Sequence, residues 1–237
     1  MNTMVKKGLL KETDKLYIKT GNQNYLGKVK RADQENIKVV LDDYGQMSSR
    51  ALIKHTYLNF PFYAINSTIA NEILPGDLYK RVENEVPSDT EQAMFTIGYE
   101  GISLEKYLQK LIKNNVKLLV DVRKNALSMK FGFSKSLLKR YCNSLDIEYI
   151  HIPEVGIVSE KRKQLESQED YDNLFIEYGK TTLQDTTEAQ RQIFDLIKKY
   201  RRIALTCFEA EPCRCHRSHL AKSITQLPQF NYPVIHL

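Results

Sequence analysis

From about Met94 onward, the apolar residues of this chain fall into short runs separated by amphipathic segments of helix length, and this alternation restricts the fold more than any other feature. Residues 94–98, 117–122, 147–152, 203–207 and 233–237 read as strands. Between them, residues 103–115, 134–145, 169–178, 187–200 and 216–226 read as helices. Leu104, Leu108, Leu111 and Ile112 illustrate the helical stripe. Strand–helix alternation predicts an α/β domain built on a mostly parallel sheet of about five strands with helices on both faces.

The preceding residues follow a different pattern. Residues 16–18, 25–29 and 37–41 are short apolar runs, and the first two flank the polar turn Gly21-Asn22-Gln23-Asn24. They predict a small β-rich domain over residues 1–81. The polar, acidic stretch 82–93 reads as a linker, and residues 94–237 form the α/β domain. Residues 1–81 hold 13 Lys and Arg against 8 Asp and Glu, and the rest 22 against 21, so any attraction to polyanions belongs to the amino-terminal end. The cluster Tyr57 to Tyr63 has four aromatics in seven residues and reads as packing against a neighbour. No apolar run reaches the ~18 residues of a membrane span, and no signal-peptide pattern opens the chain. The expectation is a cytoplasmic protein without a membrane partner. Of the four cysteines, Cys207, Cys213 and Cys215 fall within nine residues, a spacing unlike that of a secreted disulfide framework.

In parallel α/β sheets the ligand crevice lies beyond the carboxyl ends of the strands. Three strands exit there through ionisable or conformationally special residues: Gly98-Tyr99-Glu100-Gly101, Asp121-Val122-Arg123-Lys124, and the segment Cys207 to Arg217. Together they predict one pocket.

These three blocks, with Cys207-x-Glu209-x-x-Pro212-x-x-Cys215-His216-Arg217 as the most specific, resemble the hallmark blocks of the family called domain of unknown function 488. The resemblance covers about residues 94–237. It implies an amino-terminal winged-helix-like unit, here shortened so that the chain opens almost at the wing. The family has no settled reaction.

The residues allow several chemistries. In the leading one, Glu209 and His216 transfer protons, and Arg217 with the helix start at Cys215 holds an anion. Asp121, Cys207 and Cys215 complete the candidate catalytic set, and Gly98, Tyr99, Glu100 and Arg123 the substrate-binding one. The expected substrate is a phosphate-bearing small molecule or nucleic acid. A non-catalytic nucleotide-sensing or DNA-binding module is the rival. A third reading makes Cys207 or Cys215 a low-pKa nucleophile. A fourth joins Cys207, Cys213, Cys215 and His216 around zinc, although the Cys-x-Cys-His spacing needs a sharp bend. No cofactor is otherwise expected. In a fifth reading, Cys207 and Cys215 pack the turn while His216 and Arg217 bond Asp121 and Glu209.

Overall fold

Two short strands, Leu10–Thr13 (β1) and Leu16–Lys19 (β2), pair as an antiparallel hairpin in the computed structural model, which describes residues 10–13, 16–19, 21, 26–158, 161, 165 and 167–237. From there to residue 83 the described chain is mainly helical: Arg31–Tyr44 (α1), Ser49–Asn59 (α2), Ala70–Ile73 (α3) and Asp77–Glu83 (α4). The β-rich expectation is corrected here. Residues 37–41 lie inside α1, and residues 26–28 form a single 3-10 turn. A five-residue stretch with four apolar residues carries no period of its own, so length and flanks must decide between helix and strand. Residues 31–44 contain no glycine or proline, and Gly45 ends the helix. The turn residues 22–24 lie outside the described residues.

Ala64, Ala70, Ile73, Leu74 and Val82 form a small core of their own. The aromatic cluster packs only in part: Tyr57 and Phe62 are half-buried, while Phe60 and Tyr63 are exposed. Tyr63 Oη donates to Glu105 Oε1 at 2.5 Å and accepts from Gln109 Nε2, and Lys113 lies over the Phe62 ring. All three partners lie on the first helix of the α/β domain.

That domain contains strands Ala93–Gly98 (β3), Leu118–Asp121 (β4), Glu148–His151 (β5), Arg202–Cys207 (β6) and Val234–His236 (β7). They form one sheet in the order β5-β4-β6-β3-β7, and every neighbouring pair is parallel. The central strands β3, β4 and β6 are buried along their whole length, which is why they read as unbroken apolar runs.

The pleat sends alternate residues to opposite faces. Phe95, Ile97, Leu119 and Ala204 meet Tyr107 and Leu111 of helix Leu104–Lys113 (α5), and Leu138 and Cys142 of Lys135–Asn143 (α6). Met94, Val120, Ile203 and Leu205 meet the opposite layer, made of Gln168–Lys180 (α7), Thr182–Asp185 (α8), Thr187–Tyr200 (α9) and His216–Thr225 (α10). Each fully buried Leu, Ile or Phe contributes roughly 1.5–3 kcal/mol. Burial also pushes the Cys142 thiol up to about 12, with the Asp121 charge adding to it, in keeping with an inert core cysteine.

The chain runs from β3 through β4 to β5 in one direction across the sheet, then reverses through β6 to β7. Right-handed crossovers require such a reversal to move the helices to the other face. The strand order therefore splits around β4, β6 and β3, and a crevice opens beyond their carboxyl ends.

Candidate functional site

The exits of β3 and β6 are built as one piece. Gly98 stands where the turn after β6 folds back: a Cβ there would lie 1.8 Å from the carbonyl oxygen of Glu209. Only glycine permits that approach. The contact lets Tyr99 N–H and Glu100 N–H both donate to the carbonyl of Phe208, at 3.1 and 2.9 Å. Glu100 Oε2 accepts from the amide of Ala210 at 3.0 Å, which closes the other side of the turn.

Beyond β4, Asp121 is fully buried and uses both carboxylate oxygens. Oδ1 accepts from Arg123 N–H and Nε, and Oδ2 accepts from Arg123 Nη2 and from the Tyr149 hydroxyl, the last two at 2.5 Å. Arg123 Nη1 then donates to the Tyr99 hydroxyl at 2.7 Å and to the carbonyl of Phe133 at 2.9 Å. Burial alone would lower the Arg123 pKa, but hydrogen bonding and charge from Asp121 more than offset it and hold the guanidinium above its usual value. Burial, reinforced by Asp121, likewise pushes the Tyr149 phenol up. Asp121 thus ties β4, β5 and the Tyr99 turn together, and its acceptors are already engaged.

These turns surround one cavity of about 550 Å³. Tyr99, Glu100, Arg123 and Glu209 line it, as the sequence predicts for a pocket at the strand ends. Gly98, Asp121, Cys207, Cys215, His216 and Arg217 are not in the wall. Sequence reasoning missed Phe208, Tyr171 and Arg214. Phe208 and Arg214 are exposed residues inside the hallmark block, and Tyr171 comes from α7 across the opening. The Arg214 guanidinium lies 5.9 Å from the Tyr171 ring, and Tyr99 stacks on Phe133 with Phe208 at its edge. Phe133 is fully buried whereas Phe131 is exposed, so the loop Phe131-Gly132-Phe133 is anchored at its far end.

Behind the Glu209 wall lies a compact donor cluster. Cys207 S–H donates to Glu209 Oε2 at 3.0 Å, and His216 Nδ1 lies 3.4 Å from the same sulfur. His216 Nε2 is 3.0 Å from the carbonyl of Val122, an acceptor only, so Nε2 carries a proton and Nδ1 is the ring nitrogen that faces the cluster. Donor atoms of Cys207, Glu209, Cys215 and His216 all lie within 4.8 Å of one another. Glu209 is half-buried and the other three are buried. Pro212 opens the 3-10 turn Pro212–Arg214, after which Cys215 is extended and His216 begins α10. That bend brings the adjacent Cys215 and His216 to one point.

Two expectations change here. Arg217 is fully buried and donates to the carbonyls of Glu209 (2.5 Å) and Ala210 (2.9 Å), so it braces the turn and does not clamp an anion. Its backbone partners also replace the expected bond to a carboxylate. Cys213 is exposed and outside the donor cluster, where Glu209 takes the fourth place. Burial first, then the neighbouring Cys207, raises the Cys215 thiol well above its usual range. A buried, neutral thiol is a poor nucleophile.

A family model described as "Domain of unknown function DUF488" matches residues 103–224. No curated protein and no solved structure matches the chain. The matched span contains the β4 exit, the whole donor cluster and the start of α10.

Proposed function

This chain belongs to the DUF488 family, a family defined by a domain of unknown function, and from that premise we propose that it is an enzyme acting on a phosphate-bearing, nucleotide- or nucleic-acid-related substrate. The observation that carries the proposal is that one cavity brings together a half-buried carboxylate, Glu209, an exposed guanidinium, Arg214, and the rings of Phe208 and Tyr171. Aromatic faces stack on bases, and each stacked base contributes about 1–3 kcal/mol. A guanidinium binds phosphate oxygens through two parallel hydrogen bonds. Arg214 therefore takes the anion-holding role first expected of Arg217.

Glu209 is the group placed for proton transfer at the substrate. Its backbone is fixed by Arg217 and by the close approach over Gly98, and one of its oxygens is held by the Cys207 thiol. His216 is buried and reaches the cavity only through Cys207 and Glu209, so it serves as a positioning residue. Arg123 and Tyr99 give the cavity its rigid wall. Among the described residues no helix is long and apolar enough to cross a membrane.

The test is an equilibrium titration with nucleoside mono- and diphosphates and a short 5′-phosphorylated single strand, followed by turnover of whatever binds. Binding is expected to weaken with salt. Arg214→Ala should weaken it roughly tenfold or more, as expected for losing one charge-assisted hydrogen bond. Glu209→Gln should keep most of the binding and lose turnover. Binding without turnover in the unmodified protein would identify a sensing module instead. No binding by any of the three probes would overturn the proposal.

A further inference from the structure

We propose that Cys207, Cys215 and His216 bind a zinc ion, with Glu209 as a fourth, exchangeable ligand on the cavity side. The inference stands on these four side chains and their geometry, and does not depend on the identity of the substrate.

Three observations carry it. The first is convergence. Zinc–sulfur bonds near 2.3 Å and zinc–nitrogen bonds near 2.0 Å put tetrahedral donors roughly 3.3–3.8 Å apart. The Cys207 sulfur stands 3.4 Å from His216 Nδ1 and 3.0 Å from Glu209 Oε2, and all four donors fit within 4.8 Å. Small side-chain adjustments suffice to centre an ion among them.

The second is the tautomer. A zinc-binding histidine usually donates its other ring N–H to a carboxylate or backbone carbonyl, which fixes the ring and frees the ligating nitrogen. His216 does so through Nε2 to the carbonyl of Val122, at 3.0 Å. Its Nδ1 faces the Cys207 sulfur, at 3.4 Å.

The third is the charge around the cluster. The guanidinium of Arg217 is fully buried, contacts only backbone carbonyls, and has no carboxylate within ion-pair distance among the described residues. Binding Zn²⁺ displaces the two thiol protons to solvent and forms two zinc–sulfur bonds, so the net charge beside Arg217 is unchanged. Two thiolates, an imidazole and a carboxylate form a soft, mixed set suited to zinc and not to magnesium or calcium.

The arrangement also explains the division of the four ligands. Three are buried, as in a permanent set, and Glu209 alone reaches the cavity. Catalytic zinc sites keep three protein ligands and an exchangeable fourth position. On this arrangement a substrate oxygen or water replaces Glu209 on the ion, which polarises it, and the released carboxylate accepts the proton.

The experiment uses the full chain, stripped of metal, then titrated with Zn²⁺ and with Co²⁺ as a spectroscopic probe. About one zinc per chain should survive gel filtration, and Co²⁺ should give the near-ultraviolet sulfur-to-metal absorption of a two-thiolate site. Cys207→Ser, Cys215→Ser and His216→Asn should each weaken zinc binding at least about tenfold. Glu209→Gln should retain the ion and alter the cobalt spectrum. Should the buried-ligand variants fail to fold, the cobalt titration of the unmodified chain decides alone. A folded wild-type chain that keeps less than about a tenth of an equivalent of zinc and gives no cobalt–sulfur absorption would overturn the inference. Nucleotide titration of the stripped protein separates this failure from a failure of the cavity reading.

Discussion

Asp121→Asn is expected to destabilise the protein by about 3–5 kcal/mol, because breaking one side of a buried ion pair leaves its partner uncompensated. Arg123 is 3% exposed, and its Nε and Nη2 both donate to Asp121. An asparagine amide offers one acceptor oxygen and no charge, and its NH₂ group would face either the Tyr149 hydroxyl or the guanidinium. A loss of that size is a large part of the 5–15 kcal/mol typical of a folded domain. Chemical denaturation measures it directly. The double variant Asp121→Asn with Arg123→Gln should recover part of the loss, because the stranded charge is gone. A loss below about 1 kcal/mol would mean that Asp121 does not hold Arg123 in place.

Gly98→Ala should have a comparably severe effect by a different route. The new methyl would meet the Glu209 carbonyl oxygen at 1.8 Å and its carbonyl carbon at 2.7 Å, both backbone atoms with no rotamer to yield. Either β3 or the turn after β6 must move. Overpacking of this kind costs about 3 kcal/mol at the upper end of its usual range. Displacing the turn also breaks the bonds from Tyr99 and Glu100 to Phe208, so ligand binding should fall together with stability. Gly179→Ala is the matched control. It lies in the last turn of α7 with nothing near the added methyl, and alanine there should stabilise by up to roughly 0.5 kcal/mol, less than in a helix interior. Equal effects at the two positions would remove the argument for close approach at Gly98.

The parallel sheet was legible because β3, β4 and β6 are buried on both faces, and such strands announce themselves as continuous apolar runs with helix-length segments between them. The cavity followed from the same reading, since the strand-end rule needs only topology and the positions of Tyr99, Arg123 and Glu209. What stayed hidden depended on tertiary contact. Residues 37–41 carry an apolar run too short to show its period, and the surrounding residues 31–44 make it helical. Arg217, read as an anion clamp, is drawn inward by the carbonyls of Glu209 and Ala210, which converge only because the turn folds back over Gly98. The choice of Glu209 over Cys213 as the fourth donor depends on the bend at Pro212, whose angle no spacing rule provides. Tyr171 enters the wall from a separate helix and carries no local signal at all.

The most direct measurement is hydrogen–deuterium exchange of the full chain with and without a saturating nucleoside diphosphate. Ligand held against Arg214, Glu209 and the aromatic wall should slow exchange in residues 99–101, 123–129 and 208–214 together, and leave the hairpin at residues 10–19 unchanged. Protection of only one of those three segments, or protection confined to residues 10–83, would contradict a single substrate cavity at the strand ends.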